Sequence, residues 1–172
     1  MRIAILGNSG SGKSTLARWL AEQSGAALMD LDTIAWEPNQ IAVPRSASDA
    51  SADVQSFCSV NDGWVIEGCY ANLVRAAFRF KPLLLLLNPG KEQCISNCQS
   101  RPWEPHKYSS KAQQDERLSF LLAWVSDYYT RDGDMSLSAH VECFRAYTGP
   151  KKELRTLPEL TSPPSEVMAW LD

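Results

Sequence analysis

A strand, a glycine loop and a helix follow one another in the first 25 residues, and nothing else in the chain narrows its fold as much. Ile3-Ala4-Ile5-Leu6 is a short apolar run that fits a buried strand over 2–6. The loop Gly7-Asn8-Ser9-Gly10-Ser11-Gly12-Lys13-Ser14-Thr15 comes directly after it. From Lys13 to about Gln23, Leu16, Ala17, Leu20 and Ala21 recur at helical spacing, and Gly25 is a stop signal. Glycines let the backbone curl so that several N–H groups face one anion. A helix beginning near Lys13 adds its positive dipole end.

The rest of the chain continues the alternation. Ala26 to Met29 reads as a second short strand, ending at Asp30. Residues 37–53 are rich in Pro, Ser, Asn, Asp and Ala, with Pro38 and Pro44 forbidding a long helix, so a mobile insert is expected, with a helix from about Ser48 to Val60. Trp64-Val65-Ile66 is a third strand that ends at Glu67-Gly68, and Asn72 is the expected cap of a short helix through Phe78. Leu83 to Leu87 is apolar throughout, as a central parallel strand covered on both faces would be. Helices are expected over 91–100, 113–131 and 136–147, a fifth strand over 152–157, and a capping helix over 162–172 after Pro163-Pro164. Strands alternating with helices give an α/β fold with a parallel sheet, whose strand C-termini share the edge where ligands bind. At 172 residues, one domain is expected.

Gly7-x4-Gly12-Lys13-Ser14 matches the Walker A pattern in full, with a strand before it and a helix after it. The pattern implies a nucleoside triphosphate with Mg²⁺, and ATP is the expected nucleotide. Gly7 to Thr15 would line the phosphates, with Lys13 reaching the β- and γ-phosphates and Ser14 supplying a hard oxygen ligand for Mg²⁺. Three carboxylates, Asp30, Asp32 and Glu67, stand at or just past expected strand C-termini. Glu67 holds a Walker-B-like place, and Asp30 is a further candidate for the metal. Asp32 is the candidate to orient or deprotonate an acceptor, its alternative being a turn or helix cap before Thr33. Developing charge on a transferring phosphate requires cations. Arg101, at the head of the polar, Pro-containing stretch 101–112, is the candidate for a closing lid. Arg75 and Arg117 are candidates for holding substrate, and Trp36, Tyr70 and Trp103 for lining a small pocket, with core packing the alternative for each aromatic residue.

Net charge is −3, so no basic excess points to nucleic acid or to an anionic membrane. No signal-peptide pattern precedes the first strand, and the run Leu83 to Leu87 is too short to cross a bilayer, so a cytoplasmic location is expected. Five cysteines are present, and reduced thiols are expected. Cys94 and Cys98 share a helix face, but with His106 they lack both the Cys-x2-Cys pairing and a fourth ligand for zinc.

Walker A near the N-terminus, then MDLDTIAW, then WVIEGCY, resembles the small P-loop kinase superfamily that includes adenylate, gluconate and shikimate kinases. LDTIAWEP, WVIEGCYANL and YYTRDGDMSL are similar to the bacterial topology modulation proteins, also described as adenylate-kinase-like ATPases. The resemblance implies a three-layer P-loop fold with a five-stranded parallel sheet of order 2-3-1-4-5, an acceptor-binding insert at about 33–60 and a lid at about 101–112. By likeness to shikimate kinases, Asp30 matches the metal-linked first Asp of a D-x-D pair and Asp32 the acceptor-contacting second. Glu67-Gly68 matches the Asp-Gly step of adenylate kinases, but no arginine follows as in their D-G-F-P-R motif, and the Gly-Gly-Gly turn of shikimate kinases is absent. These departures count against AMP and shikimate as acceptors. The expected activity is an ATP- and Mg²⁺-dependent phosphotransferase with a small-molecule or nucleotide acceptor. The alternative is a P-loop NTPase with a regulatory or DNA-associated role. The sequence leaves acceptor and oligomeric state open.

Overall fold

The computed structural model describes residues 1–37, 43–103, 109–163 and 165–170. Five strands form one sheet in the order β2-β3-β1-β4-β5. They are β1 (Arg2–Gly7), β2 (Ala27–Asp30), β3 (Trp64–Gly68), β4 (Leu83–Leu87) and β5 (Lys151–Leu154). Every neighbouring pair is parallel, so all C-termini lie on one edge. The fold class and strand order expected for the chain are those observed.

Alternation along the strands explains their composition. Ala4, Leu6, Trp64, Ile66, Leu84 and Leu86 join one core, while Ile3, Ile5, Val65, Leu85 and Leu87 join another on the opposite face. A strand covered on both faces has no polar face, which is why the five-leucine run of β4 is uninterrupted. The first core is covered by α3 (Ala47–Val60), α4 (Ala71–Ala76) and α7 (Leu137–Ala146), through Val54, Cys58, Val74 and Cys143. The second is covered by α1 (Lys13–Ser24), through Leu16, Ala17 and Leu20. A smaller cluster joins Cys94 and Cys98 of α5 (Lys91–Gln99) to Val125 of α6 (Lys111–Asp127).

Several boundaries differ from the sequence-based expectation. A helix at Thr33 is expected from the sequence only as the alternative for Asp32; α2 (Asp32–Ala35) forms there but begins at Asp32 itself, after Leu31, and its four residues are too few to show a period. Helix α4 starts at Ala71 after Tyr70, so Asn72 lies inside it, and the Asn72 N–H is satisfied by the Asp134 carboxylate 2.8 Å away. Helix α6 ends at Asp127, short of the expected 131, and β5 spans 151–154 instead of 152–157. The C-terminal helix is α8 (Ser165–Met168); of its expected span, 164 and 171–172 lie outside the described residues. Ser46 caps α3, accepting from the Asp49 N–H at 3.3 Å. Residues 35–37 and 43–45 pair with each other, bracketing 38–42, the part of the expected insert outside the described residues. Residues 104–108 of the expected lid, with His106, are also outside them. Among the described residues no helix is long and apolar enough to cross a membrane.

Candidate active site

Strand register places the acidic residues. Ile5 of β1 is paired with Glu67 of β3, and Glu67 with Asp30 of β2. Residues paired across a parallel ladder point to the same face. Ile3, Ile5 and Val65 face α1, so Glu67 and Asp30 do as well, toward the helix whose first turn carries Lys13 and Ser14. Glu67 is 4% exposed and Lys13 is 7% exposed. Burial pushes the Glu67 carboxyl above its usual range; Lys13 and a hydrogen bond from Ser14 oppose the shift, while Asp30 and Asp32 add to it. Burial alone would lower Lys13, but the Cys69 sulfur, Glu67 and Asp32 together raise it. Four sequence-selected groups, Lys13, Ser14, Glu67 and Asp32, are thus brought within electrostatic or hydrogen-bonding reach of one another, with Asp30 beside them.

The glycine loop is held from below. Gly10 and Gly12 have φ of 76° and 94°, a region that L side chains rarely adopt. A Cβ on Gly10 would stand 2.3 Å from the Cys94 carbonyl oxygen and 2.7 Å from the Cys98 sulfur. The two cysteines therefore form the floor on which the loop rests, and burial pushes the Cys94 thiol up to about 11. Asn8 is buried, its Nδ2 donating to the Val125 carbonyl of α6 at 2.9 Å and its Oδ1 accepting from the Ser9 N–H at 2.8 Å. Lys13 Nζ donates to the Asn8 carbonyl at 2.9 Å, which draws it across the loop. Asn97 Nδ2 donates to the Gly10 carbonyl at 2.8 Å. The Ser11 hydroxyl is buried and has no hydrogen-bond partner among the described residues. A nucleotide's phosphates fit this loop: two of its glycines are left-handed, and the buried Lys13 ammonium reaches back to the Asn8 carbonyl within it. The hard oxygens of Ser14, Glu67 and Asp30 beside it fit Mg²⁺. Among the described residues no group of three or more His, Cys, Asp or Glu side chains is arranged to hold a metal by itself.

The D-x-D pair divides its work in an order that the sequence did not show. Asp30 Oδ1 accepts from the Asp32 N–H at 2.9 Å, so Asp30 caps the turn. Asp32 Oδ1 accepts from the Tyr70 hydroxyl at 2.8 Å, and that hydroxyl accepts from Trp36 Nε1 at 2.9 Å. The Trp36 and Tyr70 rings meet edge to face at 6.5 Å. The two aromatic residues are tied to Asp32 by these bonds, and they also pack in the first core, where Tyr70 is buried and Trp36 lies against it, as the core-packing alternative expects.

The arginines are dispersed. Arg101 is half-buried at the end of α5, with Nη2 3.8 Å from the Cys98 sulfur beneath Gly10. Arg117 is exposed on α6. Arg75 pairs with Glu142 of α7 at 3.2 Å, in an open cleft of about 320 Å³ between α4 and α7. The structure therefore does not bring Arg75 together with Asp32.

Sequence reasoning overlooked His140. It is fully buried, with Nε2 2.8 Å from the Cys69 carbonyl and Nδ1 2.8 Å from the Tyr128 hydroxyl. A carbonyl only accepts, so Nε2 carries the proton and Nδ1 accepts from Tyr128. Burial lowers His140 to about 4; the nearby charges of Lys13 and Arg131 act the same way, against the Cys69 bond. Between pH 6.5 and about 4 the unfolded chain then binds more protons than the folded one, so stability falls as pH falls through that window. The full loss attributable to His140 is on the order of 3 kcal/mol. Thermal unfolding of wild type and His140→Gln between pH 7.5 and 4.5, as roughly bracketed by the histidine range, should show a flatter profile for the variant. Parallel profiles would refute the assignment.

A scan against protein-family models finds no match. A search of curated proteins also finds none. Solved structures do match. A gluconokinase from Sinorhizobium meliloti 1021 aligns at 18% identity and a TM-score of 0.57, covering 99% of this chain and 90% of that one. A shikimate kinase from Bacteroides thetaiotaomicron aligns at 14% identity and 0.52, covering 99% and 94%. A deoxyadenosine kinase from M. mycoides, solved with dATP bound, aligns at 13% identity and 0.53, covering 99% of both chains. With its β2-β3-β1-β4-β5 parallel sheet and a glycine loop leading from β1 into α1, the chain has the same α/β fold as these proteins.

Proposed function

We propose that the protein is a phosphotransferase that uses Mg²⁺-ATP and a small hydroxyl-bearing acceptor. The observation that carries this reading is the buried Lys13 beside Glu67 and Asp32, at the mouth of a loop whose glycines and unsatisfied Ser11 hydroxyl suit a phosphate chain. Lys13 and the loop amides from Gly7 to Thr15 would hold the phosphates, and Ser14 with Glu67, and Asp30 beside them, would hold Mg²⁺. Bound Mg²⁺-ATP supplies an activated γ-phosphoryl group. The Asp32 carboxylate would take the acceptor's hydroxyl proton, and the γ-phosphoryl group of ATP would pass to that oxygen with ADP as the leaving group. Arg101, whose guanidinium lies 3.8 Å from the Cys98 sulfur of the loop floor, would offset charge on the moving group. Kinase folds in the aligned structures support the reading at the level of architecture.

The test is ADP release from Mg²⁺-ATP against nucleosides, nucleoside monophosphates, sugar acids, shikimate and small alcohols, with Lys13→Ala as blank. One acceptor should raise turnover well above the water background and yield a phosphorylated product by mass spectrometry. Steady Lys13-dependent hydrolysis that no acceptor changes would favour the regulatory or DNA-associated NTPase instead. ATP binding without turnover would overturn the catalytic reading.

A further inference from the structure

Strand β3 ends at Gly68, and the chain turns through Cys69 and Tyr70 into α4 at Ala71. This short turn touches both halves of the candidate site. The Cys69 sulfur is among the groups that sustain the Lys13 charge, and it lies 3.8 Å from the Ser9 hydroxyl of the glycine loop. The Tyr70 hydroxyl donates to Asp32 at 2.8 Å. Where the turn sits therefore decides where both side chains sit.

The backbone of the turn is held from the far half of the chain. The Cys69 carbonyl accepts from His140 Nε2 at 2.8 Å. The Ala71 N–H donates to the Asp134 carbonyl at 3.4 Å, and the Asn72 N–H donates to the Asp134 carboxylate at 2.8 Å. The Cys143 thiol donates to the Ala71 carbonyl at 3.7 Å. These partners lie in α7 or in the segment just before it. The Cys69 carbonyl belongs to the peptide that joins Cys69 to Tyr70, so His140 grips the turn between its two site-facing side chains. The imidazole is itself fixed: the Tyr128 hydroxyl donates to Nδ1 at 2.8 Å, which leaves Nε2 to donate, and both side chains are buried. A neutral donor suits this place. Lys13 and Arg131 both act on His140 with positive charge, and an imidazole holds the carbonyl without adding a third cation.

We propose that His140 is a positioning residue of the phosphotransfer site: its Nε2–H, oriented by Tyr128, fixes the turn that carries the Cys69 sulfur to Lys13 and the Tyr70 hydroxyl to Asp32. This role rests on the phosphotransfer reading above, since the turn serves that reaction. Misplacing a reacting or positioning group by about 1 Å costs on the order of a hundredfold in rate, so one buried bond to the turn has leverage on turnover.

The experiment compares the full-length wild type with His140→Gln, which keeps an N–H donor for the Cys69 carbonyl, and His140→Leu, which has none. All are assayed at a temperature where circular dichroism shows them folded. His140→Leu should lower kcat for Lys13-dependent Mg²⁺-ATP turnover at least about tenfold, with KM for ATP changed by less than about threefold, because the loop amides still hold the phosphates. His140→Gln should keep kcat within about threefold of wild type. The second readout needs no turnover: the rate at which iodoacetamide alkylates Cys69, followed by peptide mass spectrometry. Cys69 is half-buried while the other four cysteines are buried, so its rate reports the position of the turn. That rate should rise at least about threefold in His140→Leu and stay unchanged in His140→Gln, as expected of a residue released from its hydrogen bond. Tyr128→Phe, which keeps the imidazole but removes the bond that orients it, should shift both readouts in the direction of His140→Leu; if His140→Leu does not fold, unchanged readouts in Tyr128→Phe would overturn the role. So would a His140→Leu chain with wild-type kcat and Cys69 rate, or a His140→Gln chain as impaired as His140→Leu. A wild type with no Lys13-dependent turnover for any acceptor would instead defeat the phosphotransfer reading, and equal Cys69 rates in wild type and His140→Leu would then still refute the grip on the turn.

Discussion

Lys13→Met should lower Mg²⁺-ATP turnover by at least about a hundredfold, the loss that follows removal of one preorganised charge-stabilising donor. The argument rests on position. Lys13 is buried, yet Cys69, Glu67 and Asp32 hold its charge in place against the cost of that burial. Its Nζ is drawn to the Asn8 carbonyl, so the ammonium is set across the loop before any phosphate arrives, and no reorganisation is required at the moment of transfer. Removing it has a second consequence. Glu67 and Asp32 lose a nearby cation, and the Glu67 carboxyl, already raised by burial, rises further. The variant should therefore bind Mg²⁺-ATP weakly as well as turn it over slowly. Methionine keeps most of the side-chain volume, so a folded Lys13→Met chain isolates the charge. Circular dichroism and thermal unfolding establish that it is folded; turnover within about tenfold of wild type in such a chain would remove Lys13 from the role given to transition-state donors.

Gly10→Ala should destabilise the chain by roughly 2–4 kcal/mol, combining the left-handed backbone penalty with a steric overlap. The φ of 76° disfavours any L side chain, and the new methyl would press on the Cys94 carbonyl at 2.3 Å and the Cys98 sulfur at 2.7 Å. The carbonyl belongs to the backbone of α5 and cannot swing aside, so the loop must lift or α5 must shift. In a chain of this size that energy corresponds to a fall in Tm of roughly 5–15 °C. Gly25→Ala is the matched control. Its φ is 68° and nothing stands within 4 Å of the added Cβ, so it carries the backbone penalty alone. Differential scanning calorimetry of the two variants therefore separates contact from conformation. Equal losses at both positions would show that the cysteine floor does not support the loop. Nucleotide affinity should also fall for Gly10→Ala and stay unchanged for Gly25→Ala.

The core strands were legible because their signal is local and strong. Ile3 to Leu6, Trp64 to Ile66 and Leu83 to Leu87 are short apolar runs, and a parallel strand buried on both faces has no other appearance. The bounds of helix α2 were not legible, because four residues hold barely one turn. The start of α4 was misread for a related reason. Asn72 is a good capping residue by type, but the first-turn N–H it would have satisfied in another residue is replaced by its own, bonded to Asp134 from 62 residues away. Arg75 was a reasonable candidate by charge and neighbourhood in the chain, yet its helix turns it toward Glu142 of α7. No sequence pattern distinguishes an arginine that faces a site from one that faces a neighbouring helix.

The glycine loop and the carboxylates at strand ends were set by the chain alone, since backbone curvature, strand period and the shared edge of a parallel sheet are properties of short segments and of one simple topology. Packing decided the rest. The tie from Asn8 to Val125 spans 117 residues, the bond from His140 to Cys69 spans 71, and the one from Tyr70 to Asp32 spans 38. Each joins a buried polar group to whichever partner the packed core brings near, because such a group is costly unless it is satisfied. That requirement is imposed by burial and by neighbours from distant segments. It is why the sequence named Asp30 and Asp32 together, and only the folded chain made one a turn cap and the other the end of an aromatic relay.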